Sequence, residues 1–282
     1  MKKRNGFTLI ELLAVIVILA IIALIATPMV LKYIESSKKG SFESSVDTIE
    51  RAVDLKVVDM EKSNQLKYPV EIDVQDLDIK NKKGLIGTVT VSKDDKNNNV
   101  YTYDLTNGDY NLIGTKDNKA YKVDKSAKLV FKTENGIIDK DTNYIYSFYD
   151  EGEERNGYFL DETMIVDYIG AENGTLEFEY NDSGVLSTGA KVILKDKDGK
   201  VAQKYTVIIF GDINGDGWTG AEDLSYISGY LAKLDQLTGY QIKAVDMNND
   251  GKITEDDEIM LGNYMSYVCQ YNQMTYKCTD YS

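Results

Sequence analysis

The chain has 282 residues, a net charge of −14 and no histidine, so the commonest general base, nucleophile-activating partner and zinc ligand are all missing. So acidic a surface repels phosphate, no basic patch interrupts it, and neither nucleic-acid binding nor an enzymatic role is expected. The length accommodates two or more domains on the usual prior of about 100 to 200 residues each.

From Phe7 to Leu31 the only ionisable side chain is Glu11, and an apolar helix needs roughly 20 residues to cross a bilayer core. Lys2, Lys3 and Arg4 precede the run, so the chain after Leu31 is expected to face outward. An ordinary secretory signal fits less well, because the run exceeds the usual 7 to roughly 15 apolar residues and a carboxylate interrupts it. A carboxylate in hydrocarbon wants a partner. No cation lies one turn away, so cleavage or another chain is expected to supply one.

The stretch "KKRNGFTLIE" resembles the leader of type IV prepilins and pseudopilins. The resemblance implies that a prepilin peptidase cuts after Gly6 and that the new amine on Phe7 is methylated. It also implies that Glu11, fifth in the mature chain, meets the N-terminal ammonium of a neighbouring pilin subunit. Pro28 falls where helices of that family carry a proline. With only Pro28 and Pro69 present, an LPxTG-type anchor is not available, and the N-terminal helix is the expected attachment.

Beyond the span, Phe42, Val46, Ile49, Val53, Val57 and Met60 recur every three or four residues, an apolar stripe that calls for a sheet. Gly40 is expected to weaken the helix locally. The runs "LIGTVTV", "NVYTYDL", "AYKVDK" and "KLVFKT", with turns such as Asn107-Gly108, read as that sheet. A second β-rich region follows, with turn signals at Asn156-Gly157, Asn173-Gly174 and Asp198-Gly199; its clearest hairpin is "AKVILKDKDGKVAQKYTVIIF". It resembles small β-modules that precede dockerins in surface proteins of Gram-positive bacteria. Its tyrosines read as strand residues with outward polar tips, the alternative being a carbohydrate-stacking face.

Next comes a two-copy repeat, D-x-N-x-D-G-x5-D, offset by 34 residues. The spacing is that of a twelve-residue calcium loop with ligands at positions 1, 3, 5, 7 (through its carbonyl) and 12, and a glycine turn at 6. The ligands are Asp212, Asn214, Asp216, Trp218 and Asp223 in the first loop, then Asp246, Asn248, Asp250, Lys252 and Asp257 in the second; Gly217 and Gly251 make the turns. Both loops end in Asp and the first leaves a strand, which resembles a type I dockerin over residues 211 to 268. That family implies a helix after each loop, two Ca²⁺ ions and a cohesin partner. At the positions where well-known dockerins carry recognition residues this chain has Ala221-Glu222, Glu255-Asp256, Ser228-Gly229 and Gly262-Asn263. An unusual cohesin, another partner and a purely structural calcium staple all remain compatible with these. Leu224, Ile227, Leu231, Ile259 and Leu261 are the expected core. Cys269 and Cys278, outside the cytoplasm, read as a disulfide.

The expected fold class is α+β. A leader (1–6) and a transmembrane and amphipathic helix (7–65) lead into a pilin-like antiparallel sheet (66–132). A small β-rich module (133–210), an all-α calcium-binding domain (211–268) and a disulfide-closed tail (269–282) follow. The expected function is a minor filament subunit at the surface of a Gram-positive cell, displaying a docking module. The alternative is a singly anchored adaptor that docks cohesin-bearing enzymes. If Gly6 is the cleavage site, Gly6→Val leaves uncut precursor, and the intact mass of the wild type begins at a methylated Phe7. A start near Thr27 or Pro28 would mark a plain signal peptide instead.

Overall fold

In the computed structural model the described residues are 8–62, 68–80, 84–148, 165–181, 184–237 and 239–280. Helix α1 (Leu9–Lys62) is 54 residues long, its first half rich in Leu, Ile, Val and Ala, and continues through both Pro28 and Gly40. The chain divides into two units, residues 1–48 and 49–282, each taken by itself. In the first, the large apolar residues from Leu9 to Ile34 stand exposed on a helix long and apolar enough to cross a membrane, with mean hydropathy 3.2 over an 18-residue stretch. Gly6 and Phe7 lie outside the described residues, as does the Asn156-Gly157 turn.

The second unit begins with the last turns of α1. Ile49, Val53 and Val57 are buried as the stripe requires, and Met60 is half-buried. An antiparallel five-stranded sheet follows in sequence order: β1 (Val70–Asp73), β2 (Ile86–Lys93), β3 (Asn99–Thr106), β4 (Tyr110–Gly114) and β5 (Tyr121–Lys122). Val89 pairs with Tyr103 and Val91 with Tyr101, so alternate residues of both strands share one face. From that face the Tyr103 hydroxyl donates to the Glu50 carboxylate of α1, and the Tyr101 hydroxyl to Asp54. These two tyrosines of the first sheet thus direct their polar tips onto helix carboxylates.

The run "KLVFKT", expected in this sheet, forms β6 (Lys128–Phe131) and pairs instead with β9 (Ile169–Glu172). A second five-stranded sheet has the order β10 (Gly174–Glu179), β11 (Lys191–Asp196), β12 (Val201–Val207), β8 (Tyr144–Tyr146), β7 (Ile137–Ile138). Strands β12 and β8 are parallel; the other pairs are antiparallel. The β11–β12 hairpin is the one expected, its turn held by the Asp196 carboxylate accepting from the amides of Asp198 and Lys200, each at 2.9 Å. Val192 and Leu194 alternate inward to join Leu129, Ile145, Phe148, Ile165, Ile169, Leu186 and Val207 in one core. Leu129, on β6, belongs to that core, so the second module draws on the chain before residue 133.

Three helices follow: α2 (Ala221–Leu231), α3 (Tyr240–Val245) and α4 (Glu255–Met265). Their core holds Ile227 and Leu261, both at 0 % exposure, with Leu224 and Leu231 packed at its edge. Ile259, expected there, is 58 % exposed. On α4 the inward residues are Asp257, Leu261 and Tyr264, one face at spacings of four and three, and Ile259 lies about 200° of helical turn from Asp257. Ile213, Leu237, Ala244, Val245, Met247 and Tyr264 complete it from within residues 211–268, and the same core also takes in residues from outside that range: Tyr144 and Tyr146 of β8, Ile208 and Phe210, and Cys269 and Tyr271.

The last segment is a hairpin of β13 (Cys269–Asn272) and β14 (Lys277–Asp280) rather than a tail. The Cys269–Cys278 disulfide closes it, the Cα atoms 5.4 Å apart. The Gln273 side chain, 3 % exposed, accepts from Phe210 N at 2.9 Å and donates to Phe210 O at 2.8 Å, tying the hairpin to the chain where the helical module begins. Phe210→Ala is therefore expected to cost about 3 to 5 kcal/mol. Both the second sheet and the helices should then melt together at a lower temperature, followed by far-UV circular dichroism and near-UV tyrosine signals.

Candidate functional site

Each twelve-residue loop closes on its last residue. In the first, Asp223 Oδ1 accepts from Ile213 N at 2.7 Å and Asn214 N at 3.0 Å, and its Oδ2 from Gly220 N at 2.8 Å. In the second, Asp257 accepts from Asn248 N at 3.3 Å and Thr254 N at 2.9 Å. Gly220 and Thr254 are the N-caps of α2 and α4, so the same carboxylate that ends the loop starts the helix, as in a capping box. Gly217 and Gly251 turn with φ of 88° and 83°, a conformation costly for other residues.

The inner ligand residues repeat the correspondence. Asn214 Oδ1 accepts from Asp216 N, and Asn248 Oδ1 from Asp250 N, both at 2.9 Å. The Asp216 and Asp250 carboxylates each accept at 2.8 Å from the amide two residues on, Trp218 N and Lys252 N. All the side chains thus belong to two tight loops but spend their oxygens on backbone amides. Among the described residues no group of three or more acidic or cysteine side chains is arranged to hold a metal ion.

The first positions differ. Asp212 Oδ2 accepts from Thr188 N at 2.9 Å, an amide of the second sheet's approach to β11. Asp246 accepts from Asp250 N at 2.9 Å and Gly251 N at 3.0 Å within its own loop, and Lys243 Nζ stands 3.7 Å from its Oδ2. Thr188 and Lys243 escaped sequence reasoning, as did α3: a backbone donor has no side-chain signature, and a lone lysine before the loop looks like a solvated one. Burial raises the Asp212 carboxyl to about 7, with nearby Asp223 adding to the effect. Burial raises Asp223 and Asp246 as well.

At the other end of the chain, Glu11 does have a partner close by, at the residue just before its helix. Thr8 N and Thr8 Oγ1 donate to Glu11 Oε2 at 2.8 and 2.9 Å, and Glu11 N donates back to the hydroxyl at 3.3 Å. The expectation that only a cation could serve is corrected: two neutral donors at the helix start, where four amides lack intrahelical acceptors, hold this carboxylate.

Residues 1–27 match the family described as the prokaryotic N-terminal methylation motif, and residues 210–266 that of the dockerin type I domain. The C-terminal helical module is a type I dockerin domain. No curated protein and no solved structure matches the chain. Type I dockerin domains bind calcium, and the donors fit that ion. Each loop offers three carboxylates, one amide oxygen and a carbonyl, all hard oxygens suited to a large flexible coordination shell. Asp212 and Asp223 are each 1 % exposed, and no lysine or arginine among the described residues pairs with either. Buried charge without a counter-ion is strongly disfavoured, and a divalent cation at the dockerin loop removes that conflict. The dockerin positions Ala221-Glu222 and Glu255-Asp256 are exposed, whereas Ser228, Gly229, Gly262 and Asn263 are half-buried, with Ser228 Oγ donating to Glu258.

Without calcium, the folded protein holds Asp212 protonated over a range in which the unfolded chain, at the ordinary value of 3.8, has ionised it. Its contribution to stability is complete below that value and lost as pH rises through about 7. In chelator the protein is thus expected to be less stable near pH 8 than near pH 5. Asp212→Asn should recover on the order of 3 kcal/mol at the higher pH while forfeiting the calcium-dependent rise in melting temperature. Urea unfolding of the two proteins at both pH values, with and without calcium, checks this.

Proposed function

We propose that this protein is a minor subunit of a type IV pilin-like filament that carries a calcium-stabilised dockerin domain outward for attachment to a protein partner. The observation behind the reading is the coexistence on one chain of a methylation-motif leader and a dockerin domain. Together these suggest a surface protein with a protein-attachment module, and the apolar helix fits a membrane-inserted precursor with an extracellular mature form. A prepilin peptidase would release the chain at Gly6, and a cohesin would be the dockerin's partner. The minor role follows from bulk: a second sheet and a dockerin on every subunit would crowd a shaft, while a tip or sparse subunit tolerates them. The role envisaged is attachment without catalysis.

Two ions are proposed, one per loop. Asp212, Asn214, Asp216, Asp223 and the Trp218 carbonyl would hold the first, and Asp246, Asn248, Asp250, Asp257 and the Lys252 carbonyl the second. Calcium supplies positive charge at the point where the carboxylates gather. The chain supplies closure: Asp223 and Asp257 bind each loop to the first turn of the helix that presents the exposed docking positions. Ion binding and helix presentation are thereby one event.

The test is fractionation of sheared surface filaments from the native host, with calcium pull-down of partners on the same material. The protein is expected in the filament fraction at a small fraction of the main subunit, and partner capture should fall at least tenfold in chelator. Recovery only from membranes would favour the singly anchored adaptor, and capture indifferent to chelator would remove calcium from the docking reading.

A further inference from the structure

The two calcium loops share their ligands but not their surroundings. At the first, three residues of the connection from β10 to β11 in the second sheet close on the loop from outside the dockerin match. Thr188 N donates to Asp212 Oδ2 at 2.9 Å. Ser187 Oγ donates to Gly215 O at 2.7 Å, and Asn181 Nδ2 donates to the same carbonyl at 3.1 Å. Asn181 also donates to Thr188 O at 2.7 Å and Ser187 Oγ at 3.1 Å. Thr188 is itself pinned: its hydroxyl donates to Ile209 O and accepts from Ile209 N, both at 2.9 Å. Ser187 and Thr188 are at 0 % exposure, so their own bonds to the loop do not compete with water.

The repeat carries the trace of this contact at loop position 4. Gly215 in the first loop and Asn249 in the second both have positive φ, 75° and 56°. Asparagine tolerates that region, so the turn alone does not demand glycine. The approach of the sheet does, because a Cβ on residue 215 would lie 2.4 Å from Thr188 O and 2.9 Å from Asn181 Nδ2. Three residues before the first ligand the loops differ again, with Ile209 facing Lys243 in the alignment.

We propose that Asn181, Ser187 and Thr188 are positioning residues of the first calcium loop, which makes that loop the tighter of the two and couples its ion to the second sheet. This rests on the reading that the loops bind calcium. The sheet orients the Asp212 carboxylate and fixes the backbone at Gly215 before an ion arrives, so less ordering remains to be done on binding. Asp246 has no such external hold, and the Lys243 ammonium beside it opposes a second cation. Linkage is reciprocal: whatever the sheet adds to calcium affinity, calcium returns to the stability of the sheet.

Trp218, the one tryptophan of the chain, sits at position 7 of the first loop, so tryptophan-sensitised terbium emission reports that loop selectively. With the full chain in detergent, the double variant Asn181→Ala and Ser187→Ala is expected to weaken terbium at the first loop about tenfold, the worth of one to two net hydrogen bonds. Calcium calorimetry should show the second loop unchanged in the same protein. Gly215→Asn should weaken the first loop similarly, with the second loop unchanged. Equal first-loop affinity in wild type, double variant and Gly215→Asn would overturn the proposal, as would a parallel loss at both loops. A wild type showing neither terbium emission nor calcium heat would instead overturn the calcium reading beneath it.

Discussion

Four aspartates, Asp212, Asp223, Asp246 and Asp257, sit at 4 % exposure or less in the helical module, and the rest of that module is arranged around their charge. Each belongs to a loop, and two of them also start a helix. Burial disfavours the ionised form, yet the hydrogen-bond geometry presents several backbone amides to each carboxylate, which favours it. A cation held in each loop would reconcile the two tendencies, and the helices follow the loops because they share the Asp223 and Asp257 carboxylates. A small helical unit with few aliphatic residues thereby acquires a fixed geometry that its apolar surface alone would not supply.

The dockerin is also less separate than its sequence boundaries suggest. Tyr144, Tyr146, Ile208 and Phe210 lie in the same core as Ile227, Val245 and Leu261, and the edge-to-face contact of Tyr146 with Phe210, centroids 5.7 Å apart, crosses the nominal boundary. The hairpin closed by Cys269 and Cys278 covers the other side: the Tyr271 hydroxyl donates to Met247 O at 2.5 Å, inside the turn that opens the second loop. The chain enters and leaves the module at neighbouring points, held together by Gln273.

Patterns that depend on local spacing were legible in the sequence. The D-x-N-x-D-G repeat located both loops and their helices, the four-residue spacing of Ile49, Val53 and Val57 located a buried face of α1, and the Asp198-Gly199 turn located the β11–β12 hairpin. What escaped was non-local. β6 carries an ordinary β-prone run, and nothing in it says that its partner lies at Ile169 rather than in the preceding strands. Ile259 is apolar but two residues off the inward face of α4. Thr188 acts through its amide, which every residue but proline possesses. Two signals were present and readable: the T-x-x-E arrangement of Thr8 and Glu11, a helix-start signature hidden by attention to charge, and the glycine that stands at 215 where the second loop has Asn249.

The seam between the end of α1 and the first sheet combines apolar burial with phenols. Tyr101 and Tyr103, neutral groups, donate to Asp54 and Glu50; the lysine that also reaches Glu50, Lys116, is half-exposed and 3.1 Å away. Dissolved salt largely screens attraction between exposed charges more than about 10 Å apart at 0.1 M, and it acts weakly on a hydrogen bond from a neutral hydroxyl to a part-buried carboxylate. Two of the contacts that set helix α1 against the first sheet thus carry no charge on the sheet side, so the seam draws its polar direction from phenols rather than from ion pairs alone.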